Sequence, residues 1–78
     1  MKTFNKSISK RIDELRKQKH ISWEKLAYSA GISKGGLSDI KNGIVEARLS
    51  TLCKIMLVLD VSIQEFFDFD LDISEFDV

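Results

Sequence analysis

Apolar residues recur every three or four positions through most of the chain, the spacing that gathers them on one face of an α-helix. Ile8, Ile12 and Leu15 stand at i, i+4 and i+7, with Lys10, Arg11, Asp13, Glu14, Arg16 and Lys17 on the other faces, predicting an amphipathic helix over about residues 6–19. Lys17, Lys19 and His20 at its end complement the negative pole of the helix dipole. Ser22 is an N-cap for a short second helix through Ala30, with Leu26 and Ala27 inward and Gly31 as the stop. Ser33 caps a third helix that runs to Asn42, with Leu37 and Ile40 inward and Gly43 at its end. From Leu49 to Leu59, Leu52, Ile55, Met56 and Leu59 repeat at helical spacing, but Cys53, Leu57 and Val58 are apolar on the remaining faces. That fourth helix is either central or part of an interface. Ser62-Ile63-Gln64-Glu65 has the form of a capping box and opens a short fifth helix with Phe66 and Phe67.

The period then changes from helical to two. Phe67, Phe69, Leu71 and Ile73 alternate with Asp68, Asp70, Asp72 and Ser74, the pattern of a half-buried strand, and Phe76 and Val78 fall on the opposite parity. Five large apolar residues in the last eleven are too many for a tail that only solvates. A lone strand leaves its N–H and C=O groups unpaired. The expectation is therefore a strand-like acidic tail that pairs with the same strand of a second subunit.

Composition narrows the class. Seventy-eight residues make one compact unit, and 44% apolar with 31% charged residues describes a globular chain. The pattern divides it into a helical body, residues 1–67, and an acidic amphipathic tail, residues 68–78. The longest apolar stretch, Ile55 to Leu59, is too short to cross a bilayer, and the opening residues lead into charge, so no membrane partner and a cytoplasmic location are expected. A single cysteine, Cys53, fits a reducing compartment.

Net charge changes the picture more. The formal value is zero, yet all twelve Lys and Arg lie in residues 1–64 against six acids, a net of +6, and the other six acids lie in residues 65–78 with no base among them. A basic body joined to an acidic tail favours a polyanionic partner for the body.

Ala27, Gly31, Leu37 and Ile40, spaced at +4, +6 and +3, resemble the helix-turn-helix of the phage repressor and Cro-like family, the xenobiotic-response-element type. The likeness extends to Arg11-Ile12 and Leu15-Arg16, to Ser33 and Ser38 around Leu37, to Asn42-Gly43, and on through Thr51-Leu52 to Val61-Ser62 and Glu65-Phe66-Phe67. The resemblance implies an all-α, five-helix, lambda-repressor-like domain that binds double-stranded DNA as a small transcriptional regulator. The third helix would lie in the major groove. By position, Ser33, Lys34, Gly35, Ser38 and Asp39 would face bases or nearby phosphate, and Ser22, Trp23, Lys41 and Asn42 would flank the backbone. Lys25, Arg48 and the basic first helix would add sequence-independent attraction.

The sequence also departs from the family. Trp23 stands where glutamine is usual, Gly35-Gly36 opens the reading helix without side chains, Asp39 points a negative charge toward the groove, and Ile44-Val45-Glu46 replaces a basic or polar loop.

Catalytic and metal chemistry find no support. His20, the one histidine, sits among Lys17, Gln18 and Lys19 at a helix end, and Cys53 has no Cys or His nearby in sequence. Gly35-Gly36 lacks the rest of a phosphate-binding loop, and the tail carboxylates alternate with apolar residues instead of following a calcium-loop pattern. The expectation is a non-enzyme without cofactor that acts as a homodimer, paired through Cys53, Leu57 and Val58 or through Phe69, Leu71 and Ile73. An alternative is an antitoxin-like interaction module whose tail binds a partner chain.

Overall fold

In the computed structural model, which describes residues 3–76, five helices follow in order: α1 (Thr3–Gln18), α2 (Trp23–Ala30), α3 (Lys34–Lys41), α4 (Leu49–Leu59) and α5 (Ile63–Phe66). The expected set is present, with α1 starting three residues earlier than its apolar spacing indicated. The core gathers one face of each helix. Ile12, Leu15, Leu26, Ile55, Leu59 and Phe66 are almost wholly excluded from solvent, and Ile8, Ala27, Leu37, Ile40, Leu52 and Met56 complete the cluster. Burying a side chain of this size contributes about 1.5–3 kcal/mol. Phe66 lies at the centre because α5 packs on α4 and is tied to α1 by Arg11, whose Nε donates to the Phe66 carbonyl at 2.7 Å and whose guanidinium donates to the Glu65 carbonyl at 2.5 Å.

Local chemistry sets the helix ends. The hydroxyls of Ser22, Ser33 and Ser62 accept from the backbone N–H groups of Lys25, Gly36 and Glu65 at 3.0–3.1 Å, so each predicted cap forms. The opposite ends close through left-handed residues, Gly31 and Gly43 after α2 and α3, and His20 and Asp60 after α1 and α4. A six-residue backbone bond accompanies each, for example Ile32 N–H to Ala27 O and Ile44 N–H to Asp39 O, both at 2.9 Å.

The expectation for the tail is corrected. No strand forms among the described residues. Backbone donors that a strand would present are taken up locally: Phe69 N–H bonds to Phe67 O at 2.9 Å, Ser74 N–H to the Asp72 carboxylate at 2.8 Å, and Phe76 N–H to Ile73 O at 3.2 Å. The Ser74 hydroxyl and backbone hold the Asp72 carboxyl below its ordinary range. The apolar side chains find cover on their own chain, with Phe69 and Leu71 packed against the core and Phe76 meeting Phe4 edge-on at 4.9 Å. The Glu75 carboxylate accepts from the Phe4 N–H. Ile73 remains exposed, and Val78 lies outside the described residues.

Candidate nucleic-acid interface

Helices α2 and α3 pack on each other through Ala27, Leu37 and Ile40, and Gly31 turns the chain between them. This leaves the outer face of α3 polar and uncovered. Ser33, Lys34, Gly35, Ser38, Lys41 and Asn42 are exposed and Asp39 is half-buried, and Lys34, Gly35, Ser38 and Lys41 border one groove between α2 and α3. Asn42 donates through its amide to the Ser38 hydroxyl at 3.3 Å, which steadies the end of that face. Ser22 is exposed at the start of α2, with its hydroxyl engaged as the cap.

Trp23 does more than pack. Its half-buried ring lies between two cations, with the Arg16 guanidinium 5.1 Å and the Lys41 ammonium 5.6 Å from the ring centroid. Each arrangement attracts the cation to the negative face of the indole. The tryptophan that departs from the family pattern therefore joins α1 to α3 and gathers positive charge where they meet.

An open cleft of about 610 Å³ lies at that junction, bordered by Lys6, Ser9, Lys10, Asp13, Arg16, Trp23, Lys41 and Asn42. Four cations and one carboxylate make its lining positive. Asp13 is occupied by its neighbours: Lys17 Nζ approaches at 3.1 Å and Arg16 Nη2 at 2.5 Å. The Lys17 hydrogen bond, followed by Arg16, holds the Asp13 carboxyl below the ordinary aspartate value of 3.8 against the opposing effect of desolvation. Two close contacts fix α3 on α1 beside the cleft. The Ser9 hydroxyl donates to the Lys41 carbonyl at 2.5 Å, and a Cβ on Gly43 would come within 3.0 Å of Lys6 Cγ.

Sequence reasoning assigned Trp23, Lys41 and Asn42 to this place and treated the first helix as a general source of charge. It missed that Lys6, Lys10 and Arg16 line the same cleft. The run Lys6, Lys10, Asp13, Arg16, with steps of four, three and three residues, was the available signal, since such steps keep residues along one side of a helix. Arg11 belongs elsewhere, turned toward α5 and the tail. Lys25 and Arg48 are exposed and do not border the cleft.

The residues expected to pair subunits, through α4 or through the tail, differ in exposure. Leu57 is 81% exposed, Cys53 and Val58 are half-buried, and Phe69 and Leu71 are packed against the core. Among the described residues no group of three or more His, Cys, Asp and Glu is placed to hold a metal ion, and no helix is long and apolar enough to cross a membrane.

A family model for helix-turn-helix domains matches residues 12–66. Among curated proteins, the HTH-type transcriptional regulator PuuR of Escherichia coli (strain K12) is 34% identical over 58 residues, which are 74% of this chain and 31% of that protein. The protein of the same name from Shigella flexneri matches with the same identity and coverage. This chain thus spans about a third of the length of the curated relatives it matches. No solved structure gives a match.

Proposed function

The chain belongs to the phage repressor and Cro-like helix-turn-helix family, and from that premise we propose that it binds double-stranded DNA as a transcriptional regulator with α3 in the major groove. The observation that carries this reading is the junction of α1 and α3, where Lys6, Lys10, Arg16 and Lys41 ring an open cleft beside the polar face of α3. A phosphate oxygen is the partner that four clustered cations favour, and the exposed hydroxyls and lysine of α3 then reach base edges. In this reading Ser33, Lys34, Gly35, Ser38 and Asp39 face bases, and Ser22, Trp23, Lys41 and Asn42 meet the backbone. The kinship with regulators of matching sequence supports the same conclusion.

Two copies acting together would read half-sites about 34 Å apart, and Leu57, with Cys53 and Val58 beside it, is the surface proposed for their pairing. The tail's Phe69 and Leu71 are engaged within the chain, so the observations favour α4 over the tail as the pairing element.

Fluorescence anisotropy with a random-sequence duplex over a range of salt concentrations tests the proposal. Binding should weaken steeply with salt, and Lys34→Ala with Lys41→Ala should reduce the slope of log affinity against log salt by about 0.9 per lysine. Absence of duplex binding at low salt would overturn it.

A further inference from the structure

We infer that Glu75 and Phe76 of the tail are positioning residues for duplex binding: they close the first turn of α1 from outside and so hold Lys6 at the cleft. The inference rests on the DNA-binding reading above.

The sequence leaves the start of α1 open. A helix begins with N–H groups that lack partners and with a positive dipole end, which an acid in the first turn ordinarily meets. The first turn of α1 holds none. The Glu75 carboxylate, seventy-one positions away, takes that place by accepting from the Phe4 N–H. Beside it the Phe76 ring meets the Phe4 ring edge-on at 4.9 Å, an arrangement that adds attraction beyond the area it covers. One turn thus receives a hydrogen-bond acceptor and an apolar cover from two adjacent tail residues. This attachment is separate from the rest of the tail. Phe69 and Leu71 pack on the core and Phe69 faces the Arg11 guanidinium, whereas Ile73, between the two attachments, is 65% exposed.

The stretch held in this way runs from Phe4 to Lys6. Phe4 also borders a small apolar gap with Ile40 of α3 and with Val45 and Ala47 of the loop that follows, so it sits between the tail and the end of α3. Two positions on, Lys6 lies against that same end: a Cβ on Gly43 would stand 3.0 Å from Lys6 Cγ and 3.5 Å from its backbone nitrogen. Phe4 and Lys6 are about 200° apart around the helix, and none of the described tail residues borders the cleft. The tail therefore fixes the turn without covering the lysine. An unattached first turn would fray, and Lys6 would have to be ordered at each binding event.

The test is a double-mutant cycle on the full-length chain, read in the rate of duplex dissociation, with amide exchange of the free protein beside it. Phe76→Ala leaves the charge unchanged, so long-range steering is untouched. In the free protein the Phe4 amide should be protected from exchange and should lose most of that protection in Phe76→Ala, with the amides of α4 unaffected. An unprotected Phe4 amide in the unaltered protein would overturn the attachment itself. On a random-sequence duplex Phe76→Ala should dissociate about twofold to tenfold faster, the cost of ordering one long side chain on binding. Phe76→Tyr, which keeps the ring, should restore the rate. In a Lys6→Ala background Phe76→Ala should change the rate no further. No change, or an equal effect in both backgrounds, would overturn the positioning role and leave the DNA-binding reading standing. Should Phe76→Ala fail to fold by circular dichroism, Phe76→Leu, which removes the edge-on ring contact and keeps apolar bulk, goes through the same cycle and the same outcomes decide. Absence of duplex binding by the unaltered protein would overturn the DNA-binding reading and the positioning role with it, an outcome that exchange at Phe4 does not depend on.

Discussion

Helix α1 carries cations on two sides, and they meet opposite fates. Toward α3, Lys6, Lys10 and Arg16 border an open cleft, and Lys6 and Lys10 are exposed. Toward α5 and the tail, Arg11 has a side chain only 12% exposed, donates to the carbonyls of Phe66 and Glu65, and lies 5.5 Å from the Phe69 ring. Lys10 and Arg11 are sequence neighbours about 100° apart around the helix, and Lys10 also borders a second cleft with Arg11 and the tail residues Phe69 and Asp70. A cation's availability for a polyanion is thus decided by its neighbours and not by how many cations the helix holds. Tail attachment follows the same rule: Phe69 and Leu71 turn inward while Asp68, Asp70 and Asp72 stay exposed, so it is held chiefly by packing and leaves its charge in water.

The largest test of this contrast exchanges one cation on each side. Arg11→Ala removes two charge-assisted hydrogen bonds and should destabilise the protein by about 2–4 kcal/mol in urea denaturation, with duplex affinity of the folded protein unchanged. Lys10→Ala should show the reverse, near-native stability with a salt slope lower by about 0.9. Equal effects of the two substitutions on either measurement would erase the distinction.

A smaller effect follows from deleting residues 68–78. Formal charge then rises from 0 to +5, because five of the acids leave with the tail. Duplex association at low salt should quicken by about threefold to tenfold through electrostatic steering, and stability should fall as Phe69 and Leu71 lose their packing. An unchanged association rate would mean that the tail's charge does not reach the cleft.

The smallest change concerns Asp13. Its lowered pKa contributes stability that is present above 3.8 and is lost as the pH falls below that value. The carboxylate is partly exposed, so Asp13→Asn should cost about 0.2–1 kcal/mol at neutral pH and should flatten the acid limb of the stability profile. Releasing Arg16 and Lys17 should raise duplex affinity by about twofold to tenfold. A steeper acid limb in the variant would reverse the sign assigned here.

Much of the fold was legible because each signal was local. Serine caps at Ser22, Ser33 and Ser62 and the stops at Gly31 and Gly43 lie within a few residues of the helix ends they set, and the apolar face of each helix follows from its own spacing. The tail misled because alternation in sequence states which residues want cover and not where they find it. Phe76 finds Phe4, seventy-two positions away, and no pattern within the last eleven residues encodes that meeting. The left-handed turns at His20 and Asp60 were equally hidden, since neither residue is the usual one for that conformation. The exposed polar face of α3 was expected from the resemblance. Its junction with α1 was not, because Arg16, Trp23 and Lys41 come together only through tertiary packing.

The bond from Ser9 to the Lys41 carbonyl and the close approach of Gly43 to Lys6 act at the same end of α3. Eight residues make a rod of about 12 Å, pinned to the body at its tail and capped at its head by one hydroxyl. Such a rod has a fulcrum. A small tilt about Lys41 would displace the first turn most, so under the proposed function any adjustment to a duplex would fall on Lys34 and Gly35, and the cations around Trp23 would move least.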